Sequence, residues 1–221
     1  MPGMTKMEGG VPAKAPQSPK SLNSSDFAGL PQPLAAARAA AGPAQPTRLV
    51  GLPPVVSART VVLILGSFPG AASLKAQQYY GHPQNHFWRI LQSLWPQHPL
   101  PPAGPQHYAQ RCAWLLERRL GVWDVYASCE REGSLDTSIR SAVVNDFAQL
   151  LRECPALRAI AHNGGESFKH SAAVRQQWAG VHADAQVQSI RLPSTSPANA
   201  SWSFERKQTA WAELMAAHGL L

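Results

Sequence analysis

The chain has 221 residues, 44% of them apolar, with 20 Lys and Arg against 13 Asp and Glu for a formal charge of +7. This is enough apolar material for the core of one ordinary domain, and no run of eighteen apolar residues marks a membrane span. Cys112, Cys129 and Cys154 are odd in number and contain no C-x-x-C pair, which argues against a disulfide framework and a four-cysteine iron–sulfur cluster.

In chain order, residues 1–54 come first. They hold ten of the twenty prolines, many alanines and few large apolar side chains. Such a stretch cannot bury enough surface to offset its ordering entropy and reads as a flexible tail. It lacks the apolar h-region of a secretory signal, and it is poor in Arg for an organellar transit peptide. The expectation is a cytoplasmic protein without a membrane partner. The tail carries +3 of the charge, leaving +4 on residues 55–221. That surplus permits a polyanionic partner without requiring one.

Residues 55–221 read as one domain in which strands alternate with helices. Strand signals fall at 60–65, 122–127, 157–161 and 187–192. Helical patterns fall at 85–95, 106–120, 138–154, 166–178 and 203–218. The pattern at 138–154 is the clearest, with Asp136 or Thr137 as its cap and Ile139, Val143, Phe147, Leu150 and Leu151 along one face. Gly121 suits the stop of the preceding helix. Strand–helix alternation implies right-handed crossovers and a mostly parallel sheet covered on both faces, an α/β fold.

In such folds ligands bind outside the carboxyl ends of the strands, so three loops stand out. The first strand ends in Gly66-Ser67-Phe68-Pro69-Gly70, either an anion-approaching turn or a tight strand-to-helix connection. It matches neither a Walker loop nor a dinucleotide fingerprint. The third strand ends in Ala161-His162-Asn163-Gly164-Gly165. The Asn163 amide can both accept and donate, as the –NH–C=O edge of uracil, thymine or hypoxanthine demands, or it is a turn asparagine. The fourth strand runs into Leu192-Pro193-Ser194-Thr195-Ser196-Pro197. This rigid, donor-rich loop suits phosphate oxygens or, more simply, caps the last helix.

The segments LILGSFPG, YYGHPQNHFW, AHNGG and LPSTSPAN, in this order and spacing, resemble the motifs of the uracil-DNA glycosylase superfamily. SCEREGSLDTSI and VVNDF resemble its hypoxanthine-DNA glycosylase branch most closely, while GHPQNHFW also resembles the mismatch-specific uracil/thymine glycosylases. The resemblance covers about 52–221. It implies a three-layer αβα fold around a four-stranded parallel sheet, and a monofunctional glycosylase without metal or other cofactor. It also implies that DNA containing deaminated bases is the partner, with the target base flipped into a pocket at the strand ends. A monomer is expected.

Carried over by position, the resemblance places Tyr80 as the ring that stacks on the flipped base and Asn163 as the amide that reads its edge. Ser194, Thr195 and Ser196 fall in the loop that grips the DNA backbone. Two positions depart from the superfamily. Phe68 stands where an Asp or Asn usually positions the attacking water, and Leu192 where a His or Asn steadies the leaving base. Phe68 then becomes part of the base pocket, and the branch resemblance assigns catalysis to Asn85, whose simpler alternative is a helix cap. His82 and His86 flank it as candidate partners of the purine. Ser67 and Gln84 are further candidates, and Asp136 either faces the sugar cation or caps its helix. Lys75 and Arg191 suit phosphate contacts.

The leading expectation is a deoxyinosine glycosylase of base-excision repair, with other deaminated bases as further substrates. The alternatives are an inactive DNA-binding module of the same fold, a uracil/thymine mismatch glycosylase, or a phosphate-binding α/β enzyme. Ser196, near the place expected for an apolar wedge, is too small and polar to fill a gap in the duplex.

Overall fold

The computed structural model describes residues 48–181 and 187–221; residues 1–47, most of the expected tail, lie outside the described residues. Strand β1 (Arg48–Val50) is followed by β2 (Val62–Gly66), α1 (Ala71–Ala76), α2 (Phe87–Leu94) and α3 (Tyr108–Glu117). Then come β3 (Leu120–Asp124), β4 (Tyr126–Glu130), β5 (Arg140–Val144) and α4 (Phe147–Glu153). The chain ends with β6 (Ala159–Asn163), α5 (Gly165–Phe168), α6 (Ser171–Val181), β7 (Gln188–Leu192) and α7 (Phe204–Ala217).

The main sheet is parallel throughout, with order β3-β2-β6-β7. Every residue of β2, β3 and β6 is buried, as expected of strands covered on both faces. The α2–α7 and α4–α6 pairs each pack together, and right-handed crossovers put them on opposite faces, completing three αβα layers. Phe87 meets Trp211 between α2 and α7, and Trp123 of β3 meets Phe147 of α4, both edge to face. From β2 the chain crosses to β3 on one side, then returns past β2 to β6 and β7 on the other. The reversal falls between β2 and β6, so a crevice opens beyond Gly66 and Asn163.

A second, antiparallel sheet of order β1-β4-β5 was not expected from the sequence. It corrects three assignments. The helix expected over 138–154 is a strand followed by a shorter helix: β5 pairs with β4, and α4 begins at Phe147 with Asp146 as its cap, accepting from the Ala148 N–H at 2.9 Å. Ile139 and Val143 share the spacing of a helical face, yet they part in the structure: Ile139, just before β5, packs partly buried against the core, while β5 with Val143 is exposed along its whole length. The apparent strand over 122–127 is two strands. Val125 separates them, its N–H donating to Gly66 O at 2.9 Å, and β4 leaves for the second sheet. Residues 48–54, placed in the tail, join the folded body: β1 pairs with β4 and Leu52 is 6% exposed.

Two smaller corrections concern helix ends. Gly121 is a residue of β3, and α3 ends at Glu117, after which Arg119 takes the left-handed conformation (φ 59°). The helix expected over 166–178 is interrupted, with α5 stopping at Phe168 and α6 starting at Ser171.

Candidate active site

At the switch point lies a cleft of about 1030 Å³. The turn after β2 brings Ser67 and Phe68 to it, and the segment before α2 brings Tyr80, His82 and Asn85. The end of β6 contributes Asn163, and the loop after β7 contributes Ser194, Thr195 and Ser196. Three of the expected residues do not line the cleft: Lys75, exposed on α1, Gln84, exposed before α2, and His86.

Asn163 is 9% exposed, and its amide is committed inward. Its Nδ2 donates to Thr195 Oγ1 at 2.9 Å and to the Tyr80 hydroxyl at 3.1 Å, while its Oδ1 accepts from the Thr195 N–H at 2.9 Å. The remaining capacity is one lone pair on Oδ1. Gly164 follows with φ 112°, and a Cβ there would stand 3.1 Å from the Ser194 Cβ. Only glycine allows this close approach of the two loops.

The Tyr80 ring stacks on Phe87 with centroids 3.8 Å apart and planes 20° apart. One face is therefore occupied, and the other is the face a base could meet. Burial, then the nearby Asp124, pushes the Tyr80 hydroxyl well above the usual phenol range, so it stays protonated. Asn85 accepts from the Phe87 N–H at 2.9 Å, which fixes its side chain at the start of α2. Its Nδ2 has no protein partner among the described residues. The His82 Nδ1 accepts from the Gln84 N–H at 3.2 Å. His86 does not line the cleft; its ring meets Phe204 of α7 edge to face at 5.4 Å.

Across the cleft, Ser67 Oγ donates to Asp136 Oδ1 at 2.6 Å. Asp136 begins a short 3-10 turn and caps no α-helix, contrary to the capping alternative. Leu135 beside it is 58% exposed at the lip of the cleft. Ser134 Oγ accepts from the Ala71 N–H at 3.0 Å, which pins this loop to the segment after β2, and within the loop the one hydroxyl hydrogen of Ser138 is shared between the Glu132 and Leu135 carbonyls. On the other side Lys207 of α7, 1% exposed, donates to Asn199 O at 3.0 Å and Ser196 O at 3.5 Å beneath the Ser-Thr-Ser loop.

Sequence reasoning missed Asp124, the last residue of β3. It lines the cleft at 4% exposure. Burial, then the charge of Asp136, raises its carboxyl to about 7, against the opposing pull of Arg131. The available signal was an acid ending an apolar strand, Gly121-Val122-Trp123-Asp124. Arg131 packs over the Phe68 ring at 5.0 Å and donates to the Pro69 carbonyl, bracing the turn from behind. Among the described residues no three His, Cys, Asp or Glu side chains gather as a metal ion would require.

Comparison with known proteins places this geometry in context. The family model described as the uracil DNA glycosylase superfamily matches residues 53–215. The chain is 34% identical over 167 residues to the hypoxanthine DNA glycosylase of Methanosarcina barkeri, covering 74% of this chain and 95% of that protein. It is 35% identical over 161 residues to the hypoxanthine DNA glycosylase of Methanosarcina acetivorans, covering 73% and 94%. The solution NMR structure of a candidate uracil DNA glycosylase from Methanosarcina acetivorans superposes with a TM-score of 0.63 at 32% identity, over 78% of this chain and 99% of that one.

Proposed function

The chain belongs to the uracil DNA glycosylase superfamily, and from that premise we infer that it is a monofunctional DNA glycosylase that hydrolyses the N-glycosidic bond of deoxyinosine and releases hypoxanthine. The observation that carries this is the meeting of Tyr80, Asn85, Asn163 and the Ser-Thr-Ser loop in one cleft at the sheet's switch point.

A base inside a duplex cannot reach such a cleft, so the deoxyinosine is flipped into it. The open face of Tyr80 stacks on the purine, worth roughly 1–3 kcal/mol. Phe68, 6% exposed, forms an apolar wall. Asn163 acts first as a strut, joining the Tyr80 hydroxyl to Thr195, and offers the base one lone pair. The Nδ2 of Asn85 donates to the attacking water or the base edge. His82 and Ser67 border the same space. Donors of Ser194 and Ser196 hold the DNA backbone, with Arg191 at the cleft and Lys75 further out as salt-sensitive phosphate contacts; Thr195, expected among the gripping donors, is fully buried and bonded to Asn163, so it braces the loop from inside. Leu135 is suited to fill the gap left in the stack, since apolar side chains inserted between bases stabilise unstacked DNA.

DNA is the partner this reading requires. No helix among the described residues is long and apolar enough to cross a membrane. The cytoplasmic assignment rests on three unpaired thiols, which suit a reducing compartment.

Single-turnover assays on duplexes with one inosine, uracil or xanthine test the function. Hypoxanthine release is expected. Robust uracil release without hypoxanthine release would place the chain with the uracil/thymine enzymes, and a gel shift without an abasic site would make it a binding module. Asn85→Ala is expected to lose excision while keeping its circular dichroism spectrum, and full retained activity would remove Asn85 from catalysis.

A further inference from the structure

Gly66 and Asp124 end neighbouring parallel strands and are Cα partners in the register of β2 and β3. The carboxylate leans over the glycine: a Cβ at position 66 would stand 2.2 Å from Asp124 Oδ1. Glycine is thus required at the end of β2 to make room for the acid at the end of β3. Asp124 Oδ2 is buried with no hydrogen-bond partner, an arrangement costly to the fold that stability alone gives no reason to keep. The side chain borders the cleft in which the turn after β2 presents Phe68, incapable of holding a water.

We propose that Asp124 is the base that takes the proton of the attacking water, supplying from β3 the carboxylate that the turn after β2 lacks. This role rests on the glycosylase reading. In the step, the C1′–N9 bond breaks and its electron pair leaves on N9 of hypoxanthine. The water oxygen bonds to C1′ and its proton passes to Asp124, which returns it to solvent or to the departing base. Before the water bonds, the sugar is cationic, and the fixed negative charge faces it at close range.

The charged groups acting on Asp124 are Asp136 from the loop before β5 and Arg131 after β4; the tyrosines nearby, Tyr79 and Tyr80 before α2 and Tyr108 of α3, are neutral phenols that the charge of Asp124 pushes further up. Burial and Asp136 together hold the carboxyl at about 7, the range in which a general base is most effective near neutrality. The carboxylate therefore accumulates as pH rises through that value.

The test is the pH dependence of single-turnover inosine excision by the full chain. The wild-type rate is expected to rise about tenfold per unit below about pH 7 and level off above it. Asp124→Asn is expected to excise at least about 100-fold more slowly at the plateau, with that rise abolished, while its affinity for the inosine duplex changes less than about threefold. Rates within about threefold of wild type in Asp124→Asn overturn the proposal. So does a flat wild-type profile between roughly pH 5.5 and 8.5, a measurement that needs no variant to fold. Failure of the wild type to release any base would instead overturn the glycosylase reading, and this role with it.

Discussion

Asn163 and Thr195 hold each other by two hydrogen bonds of 2.9 Å, amide to hydroxyl and backbone N–H to amide oxygen. The end of β6 and the loop after β7 are thereby one unit, and the 3.1 Å bond to Tyr80 adds the segment before α2. Three loops distant in sequence share one side chain.

Asn163→Ala strands the Thr195 N–H and the Tyr80 hydroxyl in a site where Thr195 is fully buried. Each unsatisfied buried group costs about 1–3 kcal/mol, so a loss of about 2–4 kcal/mol in urea unfolding is expected, together with loss of excision. A loss under about 0.5 kcal/mol with excision abolished would make Asn163 a reader of the base and not a strut.

Asp124 is expected to trade stability against activity. Its carboxyl sits at about 7 when folded against an ordinary 3.8. Between these values the folded state keeps a proton that the unfolded chain has lost, so its contribution is full below the unfolded value and disappears as pH rises through about 7. Asp124→Asn removes this titration. The variant should exceed wild type by about 4 kcal/mol above roughly pH 8, the gain fading toward pH 4. Denaturant melts at both ends of the range measure it, and a gain that grows on acidification would contradict the assignment.

Leu135 is the exposed leucine at the lip of the cleft. If it enters the duplex, Leu135→Ala should slow excision from double-stranded inosine DNA about tenfold or more and from single strands less than about threefold, since only the duplex has a gap to fill. Equal slowing on both substrates would exclude the wedge role.

Lys207 supports the backbone-gripping loop from below through the Asn199 and Ser196 carbonyls. Lys207→Met keeps the length of the side chain and removes the tether. Duplex affinity should fall about five- to twentyfold by fluorescence anisotropy, with thermal stability unchanged or raised because a buried ammonium is costly. Unaltered affinity would show that the loop needs no support from α7.

The motif loops and the four parallel strands were legible because each is written locally. An apolar β-branched run identifies a buried strand wherever it pairs, and Gly, Pro, Ser and Asn clusters mark the turns that follow. The second sheet was not legible. Ile139, Val143 and Phe147 satisfy a helical spacing, and only pairing of β5 with β4 shows that the chain there is a strand. His86 shows the same limit within the site, since its neighbours Asn85 and His82 line the cleft while its own ring turns to α7.

The sequence by itself determined the αβα class, the motif loops and a set of side chains that border the cleft, among them Ser67, Phe68, Tyr80, Asn85 and Asn163. Tertiary structure alone decided that the Asn163 amide is spent on Thr195 and Tyr80, and that an acid lies over Gly66. The reason is that hydrogen-bond commitment and loss of solvent are properties of neighbours. Asp124 acquires its raised pKa only when parallel pairing sets it against a residue with no side chain and near the charge of Asp136.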